Sequence, residues 1–199
     1  IEQKFGPEQA RIHARCNEQA LRRIEEISGM IGEAANFESR DAYIYAETDD
    51  EVEELRREEK AARDAGIDAS MVDLVKAPVE ALAALKFPDQ GQFDPFGYLQ
   101  GLAALLRDQI DFYEESRVTA VDYGCPCVLQ VNGHEVRAAH VVVTTQQPVI
   151  PEGHFFAKAY PFAHVVAAAP LPDGVVIDGM FINISEPRRS LRTVEIGEE

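Results

Sequence analysis

The dipeptide Asn132-Gly133 constrains the fold of this chain more than any other feature. It lies between an apolar run at Cys127–Val131 and a returning arm that carries Val136. Both central residues of a two-residue hairpin turn need positive φ, so this pair between apolar runs is the strongest short hairpin signal. The sequence therefore predicts a β-hairpin that turns at these two residues.

Strands are predicted on both sides of this hairpin. Residues 117–121 are rich in β-branched side chains and predict a short strand before it. Residues 138–145 are apolar without alternation, which predicts a strand buried on both faces. Residues 153–169 predict one long strand, or two strands that bend at Pro161, and residues 179–184 predict another.

Three helices are predicted from capping residues and helical spacing. Pro7 suits the first position of a helix, and the apolar residues after it predict an amphipathic helix of about 25 residues. Thr48 and Glu51 form a capping box, with Thr48 as the N-cap. Asp94 and Pro95 are the N-cap and first residue of a third helix.

The first half of the chain also contains strand signals. Residues 37–47 predict a strand, and residues 84–87 predict a second strand after a connector at 68–77. Residues 88–91 predict a loop, because proline, aspartate and glycine favour turns. Together these elements predict an α+β fold, with a mixed or antiparallel sheet flanked by helices and a separate β-meander.

The balance of charged residues excludes two classes of partner. The 199-residue chain has a formal net charge of −16. Nucleic acids and anionic membrane surfaces attract basic patches, so neither is expected as a partner. No run reaches the roughly 18 apolar residues that a membrane-spanning helix requires.

The cysteines and histidines predict neither a disulfide framework nor a metal site. Cys125 and Cys127 are too close in sequence for an easy bridge, and Cys16 is distant. Reduced thiols and a cytoplasmic location are therefore expected. The histidines are dispersed without the spacing of metal ligands, so no metal is expected.

Four further phrases occur in the order found in a known family. They are Phe93-Asp94-Pro95, Lys158-Ala159-Tyr160-Pro161, Gly179-Met180-Phe181-Ile182 and Ser190-Leu191-Arg192-Thr193. With the order of strand, hairpin and buried strand, they resemble FAD-dependent oxidoreductases of the D-amino-acid oxidase, glycine oxidase and sarcosine oxidase family. A related branch carries an added Rieske iron–sulfur domain, which the last two phrases also resemble.

The resemblance implies a cofactor, a reaction and a set of site residues. FAD would accept a hydride from an amine, an amino acid or a similar small molecule, and no catalytic side chain is implied because the flavin carries the chemistry. Val118 would meet the adenine through its backbone. The implied flavin-bordering residues are Thr144, Thr145 and Gln146, and the implied substrate-binding residues are Tyr43, Tyr45, Tyr160, His164 and Arg192.

Each of these residues also has a purely structural interpretation. Val118 fits a core position, and Thr144 and Thr145 fit the end of a strand. Tyrosine is common as a packing residue in strands. Arg192 fits a surface ion pair.

The resemblance also implies interleaved domains. Residues 37–87 and 152–194 would form a discontinuous substrate-binding sheet domain. Residues 1–36 and 88–151 would supply helices and the β-meander of the FAD-binding domain.

The family's strongest motif does not occur in this sequence. A Gly-x-Gly-x-x-Gly turn, which places the pyrophosphate at a helix N-terminus, is absent. We therefore expect a middle fragment of a larger enzyme, inactive and without FAD when alone, and prone to self-association through exposed apolar surface. The alternative is a non-catalytic α+β module that binds a small ligand or a protein without flavin.

Overall fold

The computed structural model describes residues 1–73, 79–145, 157–159 and 162–194. The chain forms two compact units. Unit 1 consists of Ile1–Asp108 and Pro172–Glu199, and unit 2 is Gln109–Leu171. Helices and open sheets occur together, so the predicted α+β class is confirmed.

The predicted division into substrate and FAD-side domains remains a prediction, because it concerns the roles of the segments. The compact units divide the chain elsewhere: residues 1–36 and 88–108 lie in the same unit as the larger sheet.

The regular elements fall at the following positions. The helices are α1 (Glu2–Phe5), α2 (Pro7–Ile31), α3 (Asp49–Asp64) and α4 (Pro95–Leu106), with a 3₁₀ turn at Glu33–Ala35. The strands are β1 (Glu38–Ala46), β2 (Ser70–Val72), β3 (Ala83–Gln92), β4 (Val118–Asp122), β5 (Cys127–Val131), β6 (His134–Ala138), β7 (Met180–Asn183) and β8 (Ser190–Leu191). None of the described helices is long and apolar enough to cross a lipid bilayer.

Unit 1 is built on a five-stranded mixed sheet in the order β2-β3-β1-β7-β8. Strand β1 is antiparallel to β3 and parallel to β7. Alternation directs the side chains of β1 to both faces. On one face, Ala46 packs with Leu55 of α3 and Leu85 of β3, all with no exposed surface. On the other face, Tyr45 packs with Phe181 of β7.

Helix α3 begins at the predicted capping box. The backbone N–H of Glu51 donates to the Thr48 hydroxyl, and the Glu51 carboxylate accepts the N–H groups of Thr48 and Glu47. Ser185, which follows β7, donates its hydroxyl to the same carboxylate. That hydrogen bond is the largest of the effects that lower the pKa of Glu51. The cap therefore also ties α3 to the chain beyond β7.

The prediction of a loop at residues 88–91 is wrong. Strand β3 continues through Gln92, because residues 90–92 pair with residues 38–40 of β1. The ladder is irregular between Arg40 and Ala42, and Asp89 adopts a φ of 53° there. The turn-favouring residues thus form an irregularity within a strand rather than its end.

Strand β2 lies within the segment that the sequence predicts to be a connector, because three residues are too few to show alternation. In the structure β2 lies at one edge of the sheet and pairs with β3. The N–H of Met71 in β2 donates to the carboxylate of Glu59 on α3 at 3.1 Å.

Helix α4 starts at its predicted N-cap, where the Asp94 carboxylate accepts the N–H of Phe96 at 2.9 Å. Its glycines then allow a close approach to the end of α2 and to the 3₁₀ turn that follows it. A Cβ on Gly97 would lie 1.9 Å from the Ala34 carbonyl oxygen, and one on Gly101 would lie 2.2 Å from the Ile31 side chain. Any side chain at Gly97 would therefore separate the helix from this backbone.

Unit 2 contains a three-stranded antiparallel sheet in the order β4-β5-β6. The predicted hairpin is confirmed: β5 pairs with β6, and Asn132 and Gly133 adopt φ values of 48° and 82°. Within the described residues, β4 pairs with β5 alone and forms an outer edge.

Two other strand predictions are wrong over the described part of unit 2. Residues 139–145 form no strand, and Val142 is 83% exposed. Residues 162–169 form none either, and Val165 is 98% exposed. A strand needs a neighbour for its peptide groups, and no described strand pairs with these segments. Their apolar composition gives propensity, which alone does not make a strand.

Gly97→Ala is expected to destabilise the protein by about 1–3 kcal/mol, because the added methyl group overpacks a backbone contact. Gly29→Ala is the matched control, since nothing lies within 4 Å of a Cβ built there in α2. It is expected to stabilise the helix by about 0.5–1 kcal/mol. Urea unfolding followed by circular dichroism measures both changes. A Gly97→Ala protein as stable as the wild type would contradict the close approach of α4.

Candidate functional site

The half-buried ring of Tyr43 marks one face of the larger sheet. It stacks on Phe181 with ring centroids 4.9 Å apart and an interplanar angle of 10°. Gly179, at a φ of 123°, lies against one edge of the ring, because a Cβ built there would come within 2.6 Å of Tyr43 Cε2. The glycine and the neighbouring strand therefore fix the position of the phenol.

A charged pair borders this phenol. The Nζ atom of Lys86 lies 2.5 Å from Oδ2 of Asp41 and 6.0 Å from the centroid of the Tyr43 ring. The Tyr43 hydroxyl donates to the same carboxylate at 3.4 Å. The lysine and aspartate side chains are 30% and 32% exposed, so a small molecule can reach them. Tyr43, Lys86 and Asp41 are called the sheet-face cluster below.

With Asp178 beside it, the sheet-face cluster has one more carboxylate than it has ammonium groups. Burial is the largest cause that raises the pKa of Tyr43; Asp41 and Asp178 raise this pKa too, and Lys86 lowers it. The hydrogen bond to Asp41 is the largest cause that raises the pKa of Lys86. At neutral pH a neutral phenol and one ammonium therefore stand beside two carboxylates.

The sequence predicts Tyr43 but misses Lys86 and Asp41. Lys86 lies directly opposite Tyr43 in the antiparallel ladder between β3 and β1, and directly opposite residues share a face of the sheet. Since the register of two strands far apart in sequence cannot be read from either strand alone, no local signal identifies this pair.

The other predicted substrate residues have different surroundings. Tyr45 is on the same face as Tyr43 but is only 4% exposed, and burial raises its pKa. Arg192 follows β8 and is exposed. His164 is an exposed residue of unit 2. Tyr160 lies outside the described residues. The structure thus brings Tyr43 and Tyr45 together, and their substrate roles remain predictions.

The predicted cofactor residues lie in unit 2. Val118 is half-buried at the start of the outer strand β4 and pairs with Val131. Thr144 and Thr145 are exposed beyond the meander. Gln146 lies outside the described residues.

A sequence model of one protein family matches residues 3–190, and the description of that family is FAD dependent oxidoreductase. The chain belongs to this family. The match covers most of the sequence and includes both the sheet-face cluster and the β4-β5-β6 meander. The family assignment in the sequence analysis is confirmed at this level, and the narrower D-amino-acid oxidase type remains a prediction.

One relative of the chain is a protein of Bacillus subtilis (strain 168) named "Putative Rieske 2Fe-2S iron-sulfur protein YhfW". The two are 25% identical over 98% of this chain and 39% of the relative. The chain thus spans well under half the length of this curated relative.

Solved structures share the fold at lower identity. Glycine oxidase from Geobacillus kaustophilus is 22% identical, with a TM-score of 0.55 over 67% of this chain and 38% of that one. L-proline dehydrogenase from P. horikoshii is 16% identical, with a TM-score of 0.58 over 82% of this chain and 49% of that one. These matches support the α+β fold.

The residues present fit the FAD of this family at one end only. The outer edge of β4 has no described strand beside it, so its peptide groups can pair with a flat nitrogen heterocycle such as adenine. The sequence has no Gly-x-Gly-x-x-Gly turn to hold a pyrophosphate.

Tyr43 is expected to titrate above a free tyrosine, and its pKa responds in opposite directions to its two charged neighbours. Asp41→Asn removes a charge that raises this pKa, so the pKa falls; Lys86→Met removes a charge that lowers it, so the pKa rises. The measurement is an NMR titration of ζ-¹³C-tyrosine protein. Equal titration of Tyr43 in both variants would contradict the geometry of the sheet-face cluster.

Proposed function

We propose that the native full-length protein oxidises an amine or an amino acid by hydride transfer to FAD. The observation that carries this proposal is the sheet-face cluster, where Tyr43 and Lys86 present polar groups at a partly exposed position in a chain of an FAD-dependent family. The backbone of Val118 would contact the adenine, and the flavin would be bordered by Thr144, Thr145 and Gln146. The flavin, when bound, supplies the acceptor for the hydride.

The charges in and beside the sheet-face cluster support a substrate that carries an amine. Asp41 and Asp178 place two carboxylates near Tyr43, against the single ammonium of Lys86. This balance attracts the ammonium group that amines and amino acids share. Since the Tyr43 proton is donated to Asp41, the phenolic oxygen can accept an N–H from the substrate.

The names of structural neighbours agree with this substrate class. They include a glycine oxidase, an L-proline dehydrogenase and an L-amino acid deaminase. Each of these names describes that protein, and each likeness is one of fold. They supply the first compounds to screen: glycine, proline, other amino acids, and the amines that correspond to them without a carboxylate.

The first test is the visible absorption spectrum of the native full-length protein, purified without added cofactor. An oxidised flavin spectrum that bleaches under anaerobic conditions with an amine is the expected result. Protein that contains no flavin and takes up none from added FAD would overturn the proposal. In that case the non-catalytic binding module is the better description.

The second test concerns Tyr43. Tyr43→Phe is expected to weaken substrate binding by about tenfold, as measured from the substrate dependence of anaerobic flavin reduction, because a hydrogen bond to a charged group is lost. Tyr113→Phe is the matched control, since Tyr113 is 79% exposed in unit 2. Equal substrate affinity in the wild type and both variants would remove Tyr43 from the site.

A second candidate function concerns the electron acceptor. Because the relative that matches 98% of this chain is named as a Rieske 2Fe-2S protein, we propose that the reduced flavin of the native full-length protein passes its two electrons one at a time to such a cluster, which a further one-electron acceptor reoxidises after each transfer. About two iron atoms per chain are expected, with an EPR signal that appears when the amine is added anaerobically. Full-length protein without iron would leave an external acceptor as the remaining possibility.

A further inference from the structure

Asn132 does more in unit 2 than form the turn between β5 and β6. Its backbone N–H donates to the Arg117 carbonyl at 3.3 Å. Its side-chain Nδ2 donates to the Glu115 carbonyl at 2.8 Å. One turn residue therefore holds two carbonyl groups of the segment that leads into β4, immediately before Val118.

The ladder between β4 and β5 is irregular next to this anchored segment. Val118 pairs with Val131, but Ala120 pairs with Gln130, so one extra residue, Thr119, lies between two successive pairs. Such a bulge disrupts the ladder locally and leaves the extra residue without a partner in the ladder. Across the bulge the Thr119 hydroxyl donates to the Gln130 carbonyl at 3.3 Å, and Val118 itself pairs with Val131. The contacts of the residues just before Val118 therefore add to its positioning at a point where the ladder is interrupted.

The segment before Val118 is also held in an unfavourable conformation. Glu115 adopts a φ of 51°, in the left-handed region that non-glycine residues rarely occupy. A conformation of this kind persists only when the surrounding structure holds it. The Asn132 side chain is the described group that bonds to the Glu115 carbonyl.

We propose that Asn132 is a positioning residue for FAD and that it acts through its side-chain amide. It holds residues 115–117 so that the outer-edge peptide groups of Val118 stay in place for the adenine. This inference rests on the proposed function, in which Val118 meets the adenine of FAD. It assigns to Asn132 an effect on the adenine end of the cofactor and none on the flavin ring.

Two substitutions separate the side chain of Asn132 from its backbone conformation. Asn132→Gly removes the amide and accepts a φ of 48° without strain. Asn132→Asp keeps the shape but replaces the N–H donor with a carboxylate, which repels the Glu115 carbonyl. Asn36→Gly is the matched control: Asn36 has a φ of 41°, lies in unit 1, and has no described side-chain hydrogen bond.

The experiment compares three probes on flavin-free native full-length protein. FAD contains both adenine and flavin, ADP contains the adenine alone, and FMN contains the flavin without adenine. Flavin fluorescence gives the Kd of FAD and FMN, and competition with FAD gives the Kd of ADP. Asn132→Gly is expected to weaken the binding of FAD and of ADP by about fivefold each, and Asn132→Asp is expected to weaken both by more. The Kd of FMN is expected to stay within about twofold of wild type.

The outcomes are separable. Wild-type protein that binds neither FAD nor ADP would overturn the proposed function, and this inference with it. Wild-type protein that binds FAD, with variants whose FAD affinity is unchanged, would overturn the inference alone. An equal loss for FAD, ADP and FMN, or the same loss in Asn36→Gly, would show general destabilisation in place of positioning and would also overturn it.

Discussion

The antiparallel ladder between β1 and β3 is the interaction on which unit 1 depends. Both strands supply residues with no exposed surface: Ala46 from β1, and Ala84 and Leu85 from β3. Helix α3 packs against one face of β1, and Tyr45 and Phe181 pack on the other. Strand β1 is therefore covered on both faces. A shift of this ladder by one residue would exchange the two faces along the whole of β1.

The same ladder between β1 and β3 also places the side chains of the sheet-face cluster. Alternation along β1 sends Ile44 towards the α3 side and Tyr43 towards the other, so one strand both closes the core and presents a phenol. The register with β3 then sets Lys86 beside that phenol. In unit 2 a single turn residue, Asn132, is proposed to position Val118, because strand β4 has a bulge beside it.

Short-range features of the structure could be predicted from the sequence, and long-range features could not. The Asn132-Gly133 turn and the Thr48 capping box depend on residues at most three positions apart, and both are confirmed. The predicted loop at 88–91 is wrong because strand pairing overrode the turn residues. The predicted strand at 138–145 is wrong over 139–145, where no described strand pairs with the chain. Tyr43 could be found as a candidate, whereas Lys86 depends on the register between distant strands.

The hydrogen bond from Met71 to Glu59 has a consequence for the solubility of the protein. The N–H of an edge strand is the group that another chain uses when it adds a strand to a sheet. In β2 this N–H is already bound to a carboxylate of the protein's own helix. An incoming strand would have to displace an anionic acceptor that cannot itself donate a hydrogen bond, so this border of the sheet resists intermolecular β-pairing.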